Sequence, residues 1–227
     1  MLKPWQELPD FLRQESVRPY YDALYQKKGQ LAAKRVFDFL LALILLIVLS
    51  PIMLILALAI KLDSKGTVMF RQVRVTQYGK EFRIFKFRTM VSDAQKLGTQ
   101  VAVQGDARIT RMGRLLRRCR LDELPQLLNI LRGEMSFVGT RPEVPKYVSQ
   151  YTPQMQATLL LPAGVTSRAS IEYKDEDRLL ADAENADQTY IEQVLPGKMK
   201  YNLQSLLDFS FWQDIKTMFD TVFAVLK

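Results

Sequence analysis

The chain has no histidine in its 227 residues, and that absence removes whole classes of chemistry. Ser–His and Cys–His catalytic pairs, imidazole acid–base catalysis and His-ligated zinc are all excluded. The single cysteine, Cys119, rules out an internal disulfide and fits a reducing compartment. Any catalysis must rest on carboxylates, on Lys and Arg, on hydroxyls, or on an oxygen-ligated metal. Acidic residues are the scarcer charge: 24 Asp and Glu stand against 32 Lys and Arg, a formal net charge of +8. Such a surplus suits an anionic partner, whether a membrane surface, a nucleotide or a nucleic acid.

Against those absences stands one long charge-free apolar run, Phe39 to Ile60, with Ser50-Pro51 at its middle. As a helix it would be roughly 33 Å long, about the thickness of a bilayer's hydrocarbon core. It begins too far into the chain, and is too long, for an ordinary signal peptide. Lys34 and Arg35 precede it; Lys61, Lys65, Arg71 and Arg74 follow. A straight span would therefore put one basic cluster on the wrong side of the positive-inside rule. Pro51 has no N–H and disfavours helical geometry at Ser50, leaving carbonyls near Leu46 and Ile47 in need of partners. The Ser50 hydroxyl is placed to bond one of them. The pattern alone leaves two forms equally open: a kinked transmembrane helix, and a helix that enters, breaks at Ser50-Pro51 and returns to the same face. The remaining length suffices for one globular domain with its own core.

Residues 1–33 form an extension punctuated by Pro4, Pro9 and Pro19. Tyr20/Leu24 and Tyr21/Tyr25 pair at helical spacing, which predicts a short amphipathic helix resting on a membrane, on a partner chain or on its own domain. Asp38, just before the apolar run and four residues after Lys34, requires an ion pair. From Thr67 to Met90 strand-forming residues flank Gln77-Tyr78-Gly79-Lys80, predicting a β-hairpin with Gly79 at a positive φ. Arginines alternate with aromatics along it, as in an RNA-binding strand pair or in a solvated basic face near a membrane.

Asp106 to Glu143 carries the most chemical information. Arg108, Arg111, Arg114, Arg117, Arg118 and Arg120 mark a basic helix. Asp122-Glu123-Leu124-Pro125 then opens a second, with Asp122 as N-cap and Gly133 just past its end. Capping does not account for so much arginine beside two adjacent carboxylates. A carboxylate kept ionised by a helix N-terminus and by arginines can attack phosphorus. Phosphoryl transfer also needs charge neutralisation by Arg and by a hard cation such as Mg²⁺.

These residues resemble the monotopic phosphoglycosyl transferases, bacterial sugar transferases that start glycan assembly on a polyprenyl phosphate. The matching stretches are Lys34-Arg35-x-x-Asp38, Ser50-Pro51, Ile60 to Gly66, Phe70-Arg71-Gln72-x-Arg74, Lys86 to Met90 and Asp106-x-Arg108-Ile109-Thr110. Leu121 to Gln126, Gly133-x-Met135-Ser136-x-Val138-Gly139 and Arg141-Pro142-Glu143 complete the series, which covers about residues 34–226. The resemblance implies a re-entrant helix with both ends on the cytoplasmic side of the bacterial inner membrane. It implies that Asp122 attacks the β-phosphate of a UDP-sugar, releases UMP and forms a covalent phosphosugar ester, which polyprenyl (undecaprenyl) phosphate then takes. Glu123 is implied as the second member of the dyad, binding Mg²⁺ together with Asp122 or activating the acceptor. Arg88, Arg108, Arg111 and Arg141 are the candidates for holding phosphates, since guanidinium forks match them bidentately. The resemblance implies no nucleic-acid partner and leaves a homo-dimer open. Thr140 and Thr76 depart from the family's usual residues, and Leu161 to Thr166 resembles a family turn with an extra alanine.

The acidic stretch 175–183 is expected at the surface as a lid. A helix between Asp187 and Asp208 is expected to be interrupted at Pro196-Gly197, and Ser210 to cap a last amphipathic helix. The expected fold class is α/β, mostly α: an extension over 1–33, a re-entrant membrane helix over 34–62, and a cytosolic catalytic domain with interfacial helices over 63–227. The rival functions are a non-catalytic basic membrane scaffold, a nucleic-acid-binding protein and a bitopic regulator.

Overall fold

The apolar run is the middle of a longer helix. In the computed structural model, which describes residues 2–92, 94, 106–174, 176, 180, 183 and 185–226, helix α1 (Arg18–Gln26) is followed at once by α2 (Lys28–Asp63), helical throughout and carrying Pro51 inside it. Ser50 Oγ donates to the Ile47 carbonyl at 2.8 Å, so the bond expected from the sequence forms. Leu40, Ile44, Ile47, Val48, Leu54 and Ile55 are each more than half exposed. The helix is long and apolar enough to cross a membrane.

Both ends of α2 are tied to the same folded body. Near its start, Arg35 Nη1 donates to the Ile130 carbonyl at 2.7 Å, and Ala42 packs with Phe82, Ile84 and Met135. Near its end, Leu56 and Ile60 pack on Phe87 and Leu116, and Asp63 accepts the Met112 N–H at 3.1 Å. Asp38 finds Lys34 at 3.9 Å and the Ser136 hydroxyl at 2.7 Å, the partners its burial demands.

The hairpin forms as expected: β1 (Met69–Val75) pairs antiparallel with β2 (Glu81–Phe87), Phe70 opposite Lys86. Gly79 has φ 73°, and Tyr78 shares the positive region at 62°. Basic helix α3 (Arg111–Arg118) follows, its Gly113 N–H capped by the Thr110 hydroxyl at 3.0 Å. The next segment differs from expectation. Leu121–Gln126 is a 3₁₀ helix entered from Arg120 at φ 54°, and Asp122 caps nothing. The reason is local: an Asp122 cap would bond the N–H of the third helical residue, and that residue is Pro125. Helix α4 (Leu127–Leu131) continues the run and ends ahead of Gly133, at φ 80°.

Strand β3 (Met135–Val138) then pairs in parallel with β4 (Ala163–Thr166), so the expected turn over 161–166 is mostly strand. Between and after them lie α5 (Pro145–Val148) and α6 (Arg168–Glu172). Helix α7 (Ala186–Thr189) runs through a π-helical stretch, Tyr190–Val194, into α8 (Leu195–Leu207). The expected interruption at Pro196-Gly197 is therefore absent. The wide turn just before Pro196 absorbs its missing N–H, and the chain stays helical. Most of the expected acidic lid, 175, 177–179, 181 and 182, lies outside the described residues. The last helix, α9 (Phe211–Leu226), exposes Trp212, Phe219, Val222 and Phe223 rather than burying them.

The extension packs on its own domain. Leu8, Leu12, Val17, Tyr20, Tyr21 and Leu24 enter the largest core cluster, against residues such as Leu160, Leu195 and Met199.

Candidate active site

A cavity of about 1300 Å³ opens between the hairpin, the 3₁₀ turn, the apolar helix and the C-terminal helices. Asp122 and Glu123 lie in its wall, 7% and 8% exposed. Two neighbours hold Glu123: Lys86 Nζ at 2.9 Å and Arg141 Nη2 at 2.6 Å, both on Oε1. Asp122, by contrast, makes no hydrogen bond or ion pair among the described residues, and it faces the cavity.

The two carboxyls are driven in opposite directions. Burial pushes Asp122 above the usual aspartate range, with the Lys86 charge opposing the shift and Glu123 adding to it. Burial also acts on Glu123, but Arg141 and Lys86 overcome it and hold that carboxyl well below its ordinary value. Burial lowers Lys86, against the pull of Glu123. Glu123 raises Arg141.

Long-range contacts set this geometry. Asn129, wholly buried, accepts the Phe85 N–H at 2.9 Å and donates to the Arg83 carbonyl at 3.0 Å, pinning α4 to β2. Gly139 and Gly164 bring the ends of β3 and β4 together; a Cβ on Gly164 would sit 2.2 Å from the Gly139 nitrogen. Thr140, between Gly139 and Arg141, accepts the Gly164 N–H at 2.8 Å through its carbonyl. The Thr76 hydroxyl donates to the Glu134 carbonyl at 2.6 Å and accepts the Ala163 N–H at 3.1 Å, a buried bridge from hairpin to β3 and β4 that glycine could not make.

Of the residues expected to hold phosphates, Arg141 and Arg108 line the cavity, Arg108 paired with Asp106 at 2.6 Å. Arg88 also lines it, but its guanidinium donates to the carbonyls of Lys65 and Ser64 at 2.8 and 2.7 Å, closing the loop after α2. Arg111 is exposed at the start of α3, outside the lining. Ser50 and Pro51 lie far along the apolar helix, also outside it. Lys86 is absent from the sequence-derived site, although strand alternation already put it on the same face as Arg88. Asn129 carries no comparable signal.

For a divalent cation, Asp122 offers the one unengaged carboxylate of the dyad, since Glu123 already faces two cations. No group of three metal-binding side chains occurs among the described residues. Mg²⁺ commonly takes one or two carboxylates together with substrate phosphates and water. Asp122 fits that pattern as the protein's contribution.

One carboxylate without a partner thus stands beside one locked by two cations, in a basic cavity walled partly by the long apolar helix. The sequence pattern of the bacterial sugar transferases matches residues 29–227, and the chain belongs to that family. It is 36% identical over 196 residues to the UDP-N-acetylgalactosamine-undecaprenyl-phosphate N-acetylgalactosaminephosphotransferase of Aeromonas hydrophila, covering 85% of this chain and 43% of that protein. It is 37% identical over 212 residues to the UDP-glucose:undecaprenyl-phosphate glucose-1-phosphate transferase of Escherichia coli, covering 91% of this chain and 43% of that one. The enzyme of the same description from Caulobacter vibrioides is 35% identical over 196 residues, 85% of this chain and 69% of its own. The chain thus spans under half the length of the first two relatives.

Proposed function

We propose that the protein moves a sugar 1-phosphate from a UDP-sugar to polyprenyl phosphate and releases UMP, the first membrane step of a bacterial glycan assembly. The observation that carries this reading is Asp122: a carboxylate facing the cavity without a partner, beside a Glu123 that is fully engaged. An Asp122 oxygen attacks the β-phosphorus, the bond from that phosphorus to the bridging oxygen breaks, and UMP leaves with the electron pair. A phosphate oxygen of the acceptor then attacks the same phosphorus, forming the diphosphate product and freeing Asp122. Arg141, aided by Arg108, grips phosphate oxygens. Glu123 fixes Arg141 and Lys86 so that their charges need no reorganisation as charge builds at phosphorus. Mg²⁺, held by Asp122 and the donor's phosphates, would neutralise phosphate charge.

The membrane part of the proposal is that α2 enters from the cytoplasmic face and returns to it, bent at Ser50-Pro51. Its support is the tie between both ends of α2 and one folded body, with Arg35 at one end and Asp63 at the other. Leu45 and Leu49 of α2 line the cavity, which suits an acceptor whose chain stays in lipid. Two of the hairpin's basic residues turn into the fold: Arg88 is buried, and Arg74 donates to the Pro142 carbonyl at 3.0 Å.

The test is Asp122→Asn. It removes no contact, so the fold and Tm should hold while UMP release falls by about four orders of magnitude, the scale on which loss of a nucleophile is felt. Wild-type enzyme with UDP-sugar alone should gain the mass of the phosphosugar, and the Asn variant should not. EDTA should stop turnover. UMP release by Asp122→Asn at the wild-type rate would end the covalent mechanism.

A further inference from the structure

The polar walls of the cavity differ in character: one stretch is cationic, and another is a hydrogen-bonded network whose carboxylates are paired with Arg74 and Lys198. Arg117, Arg118 and Arg120, which run into Asp122 along the chain, line the cavity together with it. The carboxylates acting on Arg141, beyond Glu123, are Glu176 and Glu143. The Glu143 carboxylate accepts a short hydrogen bond from the Tyr190 hydroxyl. Lys198 Nζ donates to that hydroxyl at 3.1 Å and to Glu176 at 3.0 Å. Glu123 thus contacts Arg141 at 2.6 Å, and Glu143, two residues further along the chain, joins Tyr190 and Lys198. Tyr190, Lys198 and Glu143 are 3%, 4% and 6% exposed, a preformed wall rather than a solvated fringe.

The two halves of a nucleotide-sugar donor differ in the same way. The leaving half, UMP, carries phosphate charge. The transferred half beyond the phosphorus is an uncharged polyol. A network of carboxylates already paired with cations offers phosphate no surplus positive charge but can bond the second half, because each sugar hydroxyl can both donate and accept. Guanidinium groups do the reverse, binding phosphate bidentately. With the β-phosphorus at Asp122, only one orientation matches both walls.

Resting on the transferase reading, we infer that the Glu143–Tyr190–Lys198–Glu176 wall holds the donor's sugar and sets which sugar is accepted, while the arginine wall at the end of α3 holds UMP. A wall that hydrogen-bonds substrate hydroxyls discriminates among sugars that differ at one hydroxyl, since the sugar lacking it forfeits that bond.

The test uses the full chain in lipid nanodiscs with undecaprenyl phosphate and UDP-glucose, UDP-galactose, UDP-N-acetylglucosamine and UDP-N-acetylgalactosamine. Tyr190→Phe should reorder kcat/KM across this panel, with at least one sugar falling about tenfold, the size of a lost hydrogen bond to a charged network. Inhibition by UMP should change by less than about twofold, because no group on the UMP side is touched. Arg118→Ala should do the opposite, weakening UMP inhibition severalfold and lowering all four sugars together. Glu176→Gln carries the same test as Tyr190→Phe if loss of the Glu143 contact unfolds the latter. Weakened UMP inhibition in Tyr190→Phe or Glu176→Gln, or a panel ranking unchanged in both, overturns the assignment. A wild type that releases no UMP from any of the four fails the transferase reading and the inference with it; turnover with an unchanged ranking fails the inference alone.

Discussion

Asp122 and Glu123 are adjacent in sequence yet are held in opposite protonation tendencies by what surrounds them. On the proposed mechanism Asp122 attacks as the ionised carboxylate, and burial lifts its pKa above the ordinary aspartate range near 3.8. UMP release should therefore fall off on the acid side at a higher pH than an exposed aspartate would give. Lys86 is the strongest charge opposing that shift. Lys86→Met should move the acid limb of the pH–rate profile further upward as well as lowering the plateau, and an acid limb that stays put or moves down would contradict this account. Glu123→Gln is a poorer probe than Asp122→Asn, since it leaves Lys86 and Arg141 buried against a neutral amide and should cost stability as well as rate. Asp122, Glu123 and Arg141 were legible in the sequence because they sit in short contiguous motifs. Lys86 was half legible, through strand alternation. Asn129 was not, because the two bonds that pin β2 join residues more than forty apart in sequence.

At the scale of elements, the hairpin, the basic helix and the apolar helix follow from local pattern, and the departures follow from backbone chemistry at single residues. Pro125 denies Asp122 its cap, and the π-helical turn ahead of Pro196 lets a helix run where proline predicted a break. Thr76, which sequence comparison marked only as a departure, is the pin between hairpin and parallel strands. The fate of α2 is the element-level question with the most direct test. Cys119 is exposed and is the sole thiol, so Cys119→Ser gives a clean background. Gly29 is exposed with open space around its Cβ position, and Lys65 is exposed at the other end. Gly29→Cys and Lys65→Cys should both label from the cytoplasmic side in spheroplasts and neither from the periplasmic side. Labelling from opposite sides would make α2 a transmembrane span.

Among the described residues the buried apolar side chains form three clusters, and the segment before the family match belongs to the largest. Leu12, Val17 and Leu24 are completely buried although they precede residue 29, where the match begins. Leu12→Ala should cost about 2–5 kcal/mol, the range for a buried leucine whose cavity does not collapse. A shift in the denaturant midpoint checks it, and a variant as stable as wild type would mean that the extension is an ornament rather than part of the core. Patterning predicted the α1 helix but not which surface it covers, because the partners of Tyr20 and Tyr21 lie far away in sequence. The exposed Trp212, Phe219 and Phe223 of α9 add a second apolar face to that of α2, consistent with a body that rests on a bilayer.

Leu45 and Leu49 in the wall of the cavity have a kinetic consequence. On the proposed topology the two substrates arrive through spaces of different dimension: the nucleotide sugar by diffusion in the cytosol, the lipid acceptor by lateral diffusion within one leaflet. The relevant concentration for the acceptor is then its mole fraction in the membrane. Diluting the acceptor with inert phospholipid at constant bulk concentration should slow the second half-reaction, while diluting the whole suspension with buffer should leave it unchanged.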